Sequence, residues 1–421
     1  MRICFIADAR SPIARNWIAH FIARRHEVQI ISTYPCAADA FPGAPMHHLP
    51  LAFSRLAGDA RVGGQSGGPA SPIATALRAR RSGLLAGISL KAHLRITPVE
   101  LHRHIEPMKS LLKQIAPDIV HAMRIPFEGI LAAKAAPPHL PLLISVWGND
   151  FTLCAPDNPL IARQTRQALG RADALHTDCR RDLALAIEEW GFDAKKLAAV
   201  LPGAGGIQMT RFYADTSDER LRQQLNISED APVIINARGF RDYVRNDVYF
   251  AAIPLVLKKY PQVVFLCVAM YGNTLAEKWV QQFGIAANVR LLPQVERDEM
   301  ANLFRLARVA VSPSLHDGTP NTLLEAMACG CLPVAGRIES VEEWIEDQVN
   351  GLLCDATNVE SLAGAMIRAL EDEPLRQAAR ERNRQLIAER AEYHYAMQQA
   401  EAFYKEIIRR KHDVPTERAD R

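Results

Sequence analysis

Residues 309–330 read VAVSPSLHDGTPNTLLEAMACG and pass from an apolar run into a segment with helical spacing. The run Val309–Val311 has the short apolar character of a buried strand, and the turn after it ends at Thr319 and Pro320. Proline favours the first position of a helix and threonine favours the cap before it, so we expect a helix from Pro320 with Thr319 as its cap. A strand, a turn and a helix in this order form one unit of a parallel α/β sheet.

The start of this predicted helix has the properties of an anion site. The amides of Asn321 and Thr322 are expected to be free, and the helix dipole adds partial positive charge there. Phosphate binds well at such a position, and open α/β sheets bind ligands at the carboxyl ends of their strands. Glu325 can share a helix face with both residues, roughly 9 Å beyond Thr319 at about 1.5 Å per residue. A ligand with a sugar, a diphosphate and a ribose would fit this spacing; an ordinary capped helix is the alternative.

Short apolar runs alternate with amphipathic segments along the chain, which predicts parallel sheets with crossover helices. The chain has 421 residues, too many for one comfortable hydrophobic core. We therefore predict an α/β fold with an N-terminal domain over 1–205, a C-terminal domain over 206–385, and a C-terminal helix and charged tail over 386–421. The predicted strands are Arg2–Ala7, Glu27–Ser32, Ile119–Ala122, Leu142–Val146 and Ala174–Thr177, then Val233–Ala237, Val263–Val268, Val289–Leu292, Val309–Pro313 and Leu332–Ala335.

The composition favours a globular cytoplasmic protein. The hydrophobic share is 48% and the charged share 23%, an ordinary balance, and a net charge of +3 gives no indication of nucleic-acid binding. The eight cysteines form no C-x-x-C pair, which is typical of reduced thiols. The sequence has neither an apolar run of about 18 residues nor a signal-peptide pattern, so we expect any membrane contact to be peripheral.

Residues 51–115 form a basic stretch, with ten lysines or arginines against three acids. Its Gly-, Ser- and Pro-rich part, 58–71, predicts a loop. Two interpretations of the rest stay open. One is an amphipathic helix that covers the sheet and turns its basic face to solvent. The other is a helix that rests on an anionic surface at the inner face of the membrane and meets a lipid-linked acceptor.

The spacing of Asp317 and Glu325 resembles the E-x7-E signature of family-4 retaining glycosyltransferases, with aspartate in place of the first glutamate. The segment 325–334, EAMACGCLPV, resembles the continuation of that signature. The resemblance spans essentially the whole chain and is strongest over 171–370. It implies a GT-B fold, in which two Rossmann-like domains face each other across a cleft. It also implies that the C-terminal helix, here 392–409, crosses back to the first domain.

The resemblance implies roles for particular residues of the second domain. Asp317 would hold sugar hydroxyls, and Glu325 would hold the ribose of a nucleoside-diphosphate sugar. Two cations after the first strand of this domain would clamp the diphosphate. Arg245 is the second of these, while Arg238 and Arg241 both fit the first position. The other donor-binding residues implied are Gly318, Thr319, Asn321, Thr322, Val295 and Glu343.

Matches in the first domain are weaker. The segment 117–122, PDIVHA, resembles a family motif, and a structural and a functional role are both open for His121. The segment 147–150, WGND, resembles the family's HGxD with tryptophan in place of histidine. On the resemblance, Asn149 or Asp150 would hold hydroxyls of the sugar or the acceptor. The chain lacks G-x-G-x-x-G after its first strand, which argues against a dinucleotide cofactor.

The resemblance implies transfer of a sugar, with retention of configuration, from a nucleoside-diphosphate sugar to a glycan, lipid-linked or small-molecule acceptor. Polysaccharide biosynthesis is the typical setting. It implies no metal and no cofactor, and the sequence agrees in having no Asp-x-Asp motif. Fixed cations and the helix start would offset charge on the leaving diphosphate, with no protein nucleophile. The alternatives are a nucleotide-sugar epimerase or sugar-phosphorylase relative of the same fold, and a non-catalytic two-lobed sugar-binding protein.

Overall fold

A computed structural model gives the structure of this chain. It describes residues 1–37, 39–51, 100–156, 158–215, 219–241 and 243–413. Most of the basic stretch over 51–115, including the loop predicted at 58–71, lies outside the described residues. The charged tail beyond residue 413 lies outside them too.

The first half of the chain forms a parallel sheet. Its strands are β1 (Arg2–Ala7), β2 (Glu27–Ser32), β3 (Met46–His48), β4 (Ile119–Ala122), β5 (Leu142–Val146), β6 (Ala174–Thr177) and β7 (Leu197–Val200). Among the described residues the order across the sheet is β3-β2-β1-β4-β5-β6-β7, and every pairing is parallel. The chain thus winds outward from β1 in both directions, as in doubly wound folds.

The second half forms a separate parallel sheet. Its strands are β8 (Val233–Asn236), β9 (Val264–Cys267), β10 (Val289–Leu291), β11 (Val309–Ser312), β12 (Leu332–Gly336) and β13 (Leu352–Cys354). Within the described part of the chain their order is β10-β9-β8-β11-β12-β13, again parallel throughout. The strand order reverses between β8 and β11. The loops that leave these two strands therefore meet at the crevice where doubly wound sheets bind ligands.

Helices connect the strands and cover the sheets. In the first half they are Pro12–Ala23, Ile105–Ile115, Ile130–Ala135, Pro159–Arg171 and Arg180–Glu188, with a 3₁₀ turn at Leu101–His104 and π-helical turns at Ile125–Gly129 and Asp150–Cys154. In the second half they are Glu219–Gln224, Asn246–Lys259, Thr274–Gln282, Arg297–Leu306, Asn321–Ala328, Glu339–Glu342, Val359–Glu371 and Glu373–Arg390. Tyr393–Asp413 is the last helix. The α/β fold with parallel sheets predicted from the sequence is confirmed.

The second sheet is buried on both faces because its strands are apolar at nearly every position. Alternate residues of β8 point to opposite sides. Val233 and Ile235 join one apolar cluster, and Ile234, between them, joins another. Helices cover both faces, as parallel sheets require. Only the ends of the strands are then left to present polar side chains.

The described residues divide into two units by their contacts. One comprises Met1–Gly206 together with the chain from His394 onward, and the other is Ile207–Tyr393. The boundary predicted after residue 385 lies inside the helix Glu373–Arg390. No helix in the described ranges is long and apolar enough to cross a membrane.

The last helix packs in the first unit, as predicted. The Trp17 indole Nε1 donates to the Tyr404 hydroxyl at 3.1 Å. Glu401 accepts from Arg24 Nε at 3.2 Å. Both acceptors lie on the helix Tyr393–Asp413 and both donors belong to the N-terminal region of the chain, so the helix is tied there by buried and charged contacts.

Candidate functional site

Backbone contacts join the loop after β8 to the loop after β11. Val244 and Ser314 form an antiparallel bridge. On either side of it, the Leu315 amide donates to the Tyr243 carbonyl at 2.9 Å, and the Arg245 amide donates to the Pro313 carbonyl at 2.8 Å. The pairing places the arginine-rich loop 238–245 beside the segment that carries Asp317.

Arg238 and Asp317 form an ion pair at this junction. Arg238 Nη2 donates to Asp317 Oδ2 at 2.5 Å, and the two side chains are 9% and 12% exposed. The Arg238 amide donates to Asn236 Oδ1 at 3.0 Å, which fixes the turn that leaves β8. Arg238 Nε is buried and has no hydrogen-bond partner among the described residues. The carbonyl of Asp317 accepts from the Ser340 hydroxyl at 2.7 Å, so its backbone is held as well.

The other two arginines of the loop have different partners. Arg245 bonds both oxygens of Asp247, with Nε to Oδ1 at 2.9 Å and Nη2 to Oδ2 at 2.7 Å. This hydrogen bond raises the pKa of Arg245 and lowers the pKa of Asp247. Arg241 Nη1 donates to the Tyr243 hydroxyl at 3.2 Å at an exposed position. Of the two candidates for the first cation, the structure pairs Arg238 with Asp317.

The helix Asn321–Ala328, called the site helix below, corrects two expectations. Pro320 is its N-cap and not its first helical residue, because its ψ of 73° is not helical and its carbonyl already accepts from Leu323 and Leu324. The predicted Thr319 cap is therefore wrong. The Asn321 amide is not free either, since it donates to the Thr319 carbonyl at 2.9 Å.

The rest of the site helix follows its predicted pattern. Thr322 lies in the first turn, where the helix ladder gives its amide no acceptor. The Asn321 side-chain Oδ1 is buried and finds no hydrogen-bond donor within the described ranges. Leu323, Leu324 and Met327 are all buried. The helix thus packs one face into the core and presents a polar beginning beside the loop of Asp317 and Gly318.

Glu325 meets a residue that the sequence did not indicate. Its Oε1 accepts from Arg297 Nη2 at 2.7 Å. Burial raises the pKa of Glu325, and the positive charges of Arg297 and then Arg211 oppose that rise. Arg297 is the first residue of its own helix and lies 28 positions before Glu325. No local spacing rule links positions so far apart, so a fold was needed to find the pair.

Val295 and Glu343 lie on other loops of the second unit. Val295 belongs to the loop between β10 and the helix that begins at Arg297, and it packs partly buried against the core. Glu343 follows the short helix Glu339–Glu342 and is half-buried, and its carbonyl accepts from Arg390 Nη1 at 2.8 Å. Their predicted contacts with a donor stay predictions.

His121 is enclosed in the first unit. Its Nε2 is 2.6 Å from Ser145 Oγ, and its Nδ1 is bonded to the Tyr404 hydroxyl. Ser145 Oγ continues to His176 Nδ1 at 2.7 Å. Burial lowers the pKa of His121 well below its ordinary value. This buried chain of polar groups favours the structural alternative for His121.

Asp150 is also fully buried. Its Oδ1 accepts from Arg124 Nε at 2.8 Å, and its Oδ2 accepts from the Trp147 amide at 3.1 Å. Burial raises the pKa of Asp150, and Arg124 opposes the rise. These contacts make Asp150 the anchor of the turn after β5. Asn149 lies beside it with a buried Oδ1 that lacks a hydrogen-bond partner.

One group of three metal-ligand side chains occurs among the described residues: Asp178, Cys179 and Asp182. All three are buried. Arg181 Nη2 donates to Asp182 Oδ1 at 2.6 Å, so a guanidinium already compensates that carboxylate. This group could not be predicted from the sequence, because its residues match no known ligand spacing.

The family model described as Glycosyl transferases group 1 matches residues 217–386, and the model described as Glycosyl transferase 4-like domain matches residues 11–203. Together the two models cover most of the chain, which therefore belongs to the group 1 glycosyltransferase family. The first match contains the arginine-rich loop, the site helix and Arg297, and the second covers most of the first sheet.

Relatives and solved structures agree with this family. A D-inositol 3-phosphate glycosyltransferase of Corynebacterium urealyticum is 27% identical over 271 residues, which cover 62% of this chain and 61% of that protein. The sucrose-phosphate synthase of Thermosynechococcus elongatus superposes with a TM-score of 0.72 at 16% identity, covering 97% of this glycosyltransferase and 99% of the synthase. HepE of Anabaena, in complex with UDP, gives 0.71 at 15% identity, covering 96% and 100%. The glycosyltransferase therefore has the GT-B fold.

Proposed function

We propose that this glycosyltransferase moves a sugar from a nucleoside-diphosphate sugar to an acceptor hydroxyl and retains the configuration of the sugar. One observation carries the proposal: the crevice between β8 and β11 brings Arg238, Asp317 and the start of the site helix together. A cation, a carboxylate and a helix start offer binding groups for phosphate and for sugar hydroxyls. HepE, which shares the fold, has been solved with UDP and with UDP-glucose.

The donor would lie along the site helix. Its diphosphate would take the first-turn amide of Thr322 and the guanidinium groups of Arg238 and Arg245. Its sugar would meet Asp317 and its ribose Glu325. In the chain as it stands, Arg238 offsets the charge of Asp317. A diphosphate would offer Arg238 a second anionic partner, which its bidentate guanidinium can take.

The chemistry needs no protein nucleophile. The bond between the anomeric carbon and the diphosphate oxygen breaks while the acceptor oxygen bonds to the same face of that carbon. The acceptor proton passes to the departing phosphate oxygen. Arg238, Arg245 and the helix start would stabilise the charge that develops on the diphosphate. We infer that these fixed positive groups serve in place of a metal ion and that no cofactor takes part.

The acceptor is proposed only by class. A glycan, a lipid-linked sugar and a small polyol all offer a hydroxyl, and one relative is named for D-inositol 3-phosphate. The basic composition of residues 51–115 supports a cytoplasmic enzyme that works at the inner face of a membrane, on a lipid-linked acceptor of polysaccharide biosynthesis. Binding to anionic vesicles that weakens with salt would support this setting, and no binding would count against it.

A donor screen tests the proposal. The full chain is incubated with UDP-, GDP- and ADP-sugars, with and without a mixture of acceptors, and released nucleoside diphosphate is measured. Release that depends on an acceptor, with an α-linked product from an α-linked donor, supports retaining transfer. An epimer formed without acceptor would identify the epimerase alternative. If no nucleoside diphosphate is released from any donor, the result would favour the alternative of a non-catalytic sugar-binding protein.

A further inference from the structure

A cation from a neighbouring helix holds Glu325 in place. Arg297 Nη2 donates to Glu325 Oε1 at 2.7 Å. The side chain of Glu325 is 10% exposed and that of Arg297 is 40% exposed. A carboxylate buried to this degree needs a partner if it is to stay charged. This pair therefore differs from an ordinary surface ion pair, because its carboxylate is almost fully buried.

Neighbouring groups fix the guanidinium of Arg297. It lies over the ring of Phe212, 5.0 Å from the ring centroid. Arg211, the residue before Phe212, forms its hydrogen bonds with other residues. Its Nε donates to Asp298 Oδ1 at 2.5 Å, and its Nη1 donates to Gln208 Oε1 at 2.5 Å. Arg297 is thus the cation that bonds Glu325, while Arg211 acts on it only through its charge.

The pairing leaves one carboxylate oxygen for a ligand. Oε1 is bonded to Arg297, whereas no donor in the described part of the chain bonds Oε2, which can therefore accept from a ligand. The charged groups that face Glu325 are Arg297 and Arg211, and the Cys329 thiol lies nearby on the site helix. Burial raises the pKa of Glu325 and Arg297 is the largest opposing influence, so the removal of Arg297 would raise that pKa further.

We propose that Arg297 is a positioning residue for the donor ribose, one that anchors an oxygen of Glu325 so that the other, charged, faces a ribose hydroxyl. The inference rests on the proposed function, in which Glu325 takes the ribose. A hydroxyl donates more strongly to an ionised carboxylate than to a neutral acid. Arg297 acts through Glu325 and has no contact of its own with the reacting atoms.

The test compares ribose with 2′-deoxyribose. UDP, GDP and ADP are titrated calorimetrically into the wild-type chain, and the tightest binder is then compared with its 2′-deoxy form. We expect the wild type to prefer the ribonucleotide about tenfold, the effect of one hydrogen bond to a charged group. Arg297→Met should bring that preference close to one, as Glu325→Gln should. The double variant should lose no more than either, because both substitutions remove the same interaction.

Arg382→Met is the matched control. Arg382 Nη2 lies 2.7 Å from Glu346 Oε2, the same distance as in the Arg297 pair, but the two side chains are 57% and 62% exposed. Both pairs lie in the second unit. The control removes an arginine–glutamate bond of equal length away from the site, so its preference for the ribonucleotide should equal that of the wild type.

The pH dependence separates positioning from a structural role. In Arg297→Met, the preference for ribose should return as the pH rises, because Glu325 ionises again above its raised pKa. The wild type should keep its preference to a lower pH. Arg297→Lys retains the charge and should restore part of the preference at neutral pH. Loss of structure alone would give none of these pH shifts.

The outcomes distinguish two failures. If the wild type binds none of the three nucleoside diphosphates, the proposed function fails. If it prefers the ribonucleotide and Arg297→Met keeps that preference at every pH, the positioning role is wrong while the function stands. Should Arg297→Met melt below the assay temperature, the uncharged Arg297→Gln carries the comparison, and an unchanged ribose preference in that variant at every pH would overturn the role.

Discussion

At the residue scale, Arg238 and Arg241 compete for one role, and the structure separates them by burial. Arg238 is bonded to Asp317 with little exposure, whereas Arg241 reaches only the Tyr243 hydroxyl at the surface. We expect Arg238→Ala to lower kcat about 10²-fold or more, the usual effect of removing a fixed group that stabilises developing charge. Arg241→Ala should change kcat less than a few-fold. Steady-state kinetics of the two variants measures both effects. Equal losses of kcat would mean that neither arginine alone is the first diphosphate cation.

Arg245 allows a test with little risk to the fold. Its contacts with Asp247 lie at the surface, with side chains 27% and 51% exposed, and such pairs are worth about 0–1 kcal/mol. Arg245→Ala should therefore melt near the wild-type temperature. Transfer should fall strongly, since one of two diphosphate cations is gone. Arg382→Ala is the control, and near-normal turnover by Arg245→Ala would remove it from the proposed site.

Whether a candidate site residue could be predicted from the sequence depends on what sets its position. Asp317 and Glu325 could be predicted as candidate site residues from the sequence because one helix and its turn set their spacing. Arg297 was missed because tertiary packing, not chain spacing, brings it to Glu325. The Thr319 cap was predicted from preference alone, and the backbone of Pro320 decided otherwise. Sequence patterns thus give the parts of the site that one element holds, and packing gives the rest.

At the element scale, short strands at sheet edges escaped prediction. The strand Met46–His48 carries two histidines and is only half-buried, so it has no continuous apolar run. Leu197–Val200 is apolar, but it is only four residues long and is partly exposed. The central strands, such as Arg2–Ala7 and Leu142–Val146, were predicted with their observed bounds because both faces are buried. A continuous apolar run therefore identifies strands that are buried on both faces more reliably than short strands at a sheet edge.

The last helix offers a stability test through Glu401. This carboxylate is buried among cations, with Lys405 Nζ at 2.8 Å and Arg24 Nε at 3.2 Å, and it also faces His26 and His20. These contacts, the Lys405 hydrogen bond first, lower the pKa of Glu401 from 4.5 to about 2. The folded state thus gains stability above pH 4.5, and loses it as the pH falls through 2.

Glu401→Gln should destabilise the chain at neutral pH. We expect the melting temperature to fall by a few degrees, at about 2–4 °C per kcal/mol for a unit of this size. The difference from wild type should shrink as the pH falls below 4.5, where the unfolded wild type takes up the proton. Glu389→Gln, a change at an exposed position of the preceding helix Glu373–Arg390, is the control. A difference that is constant down to pH 2 would show that charge is not the cause.

At the scale of the whole molecule, metal dependence tests the proposed division of labour. If arginines and the helix start offset the diphosphate charge, prolonged dialysis against a chelator should leave kcat within about twofold of the untreated enzyme. The buried group Asp178, Cys179 and Asp182 sharpens the experiment. Activity lost to the chelator and restored by one divalent ion would contradict the proposal and direct attention to that group.

The two-unit organisation was predictable because alternation of strand and helix runs through both halves of the sequence. The boundary at which the chain leaves the second unit was harder to predict. The chain returns to the first unit at His394. The boundary predicted after residue 385 instead lies inside the preceding helix, Glu373–Arg390. Charge and helical spacing continue without a break through this region. Contacts, and not composition, therefore define where the second unit ends.

Ligand binding should stabilise one unit more than the other. All the proposed donor contacts, from Arg238 to Glu325, lie in Ile207–Tyr393. A nucleoside diphosphate at about 100 times its Kd adds about 2.7 kcal/mol to the state that binds it. Calorimetry should therefore show the melting of this unit rise by several degrees. Glu325→Ala should reduce the rise by about half at the same nucleotide concentration, while Arg382→Ala keeps it. A rise of the full wild-type size in Glu325→Ala would mean that the nucleotide binds elsewhere, because the loss of a ribose contact from a true site must weaken the linkage.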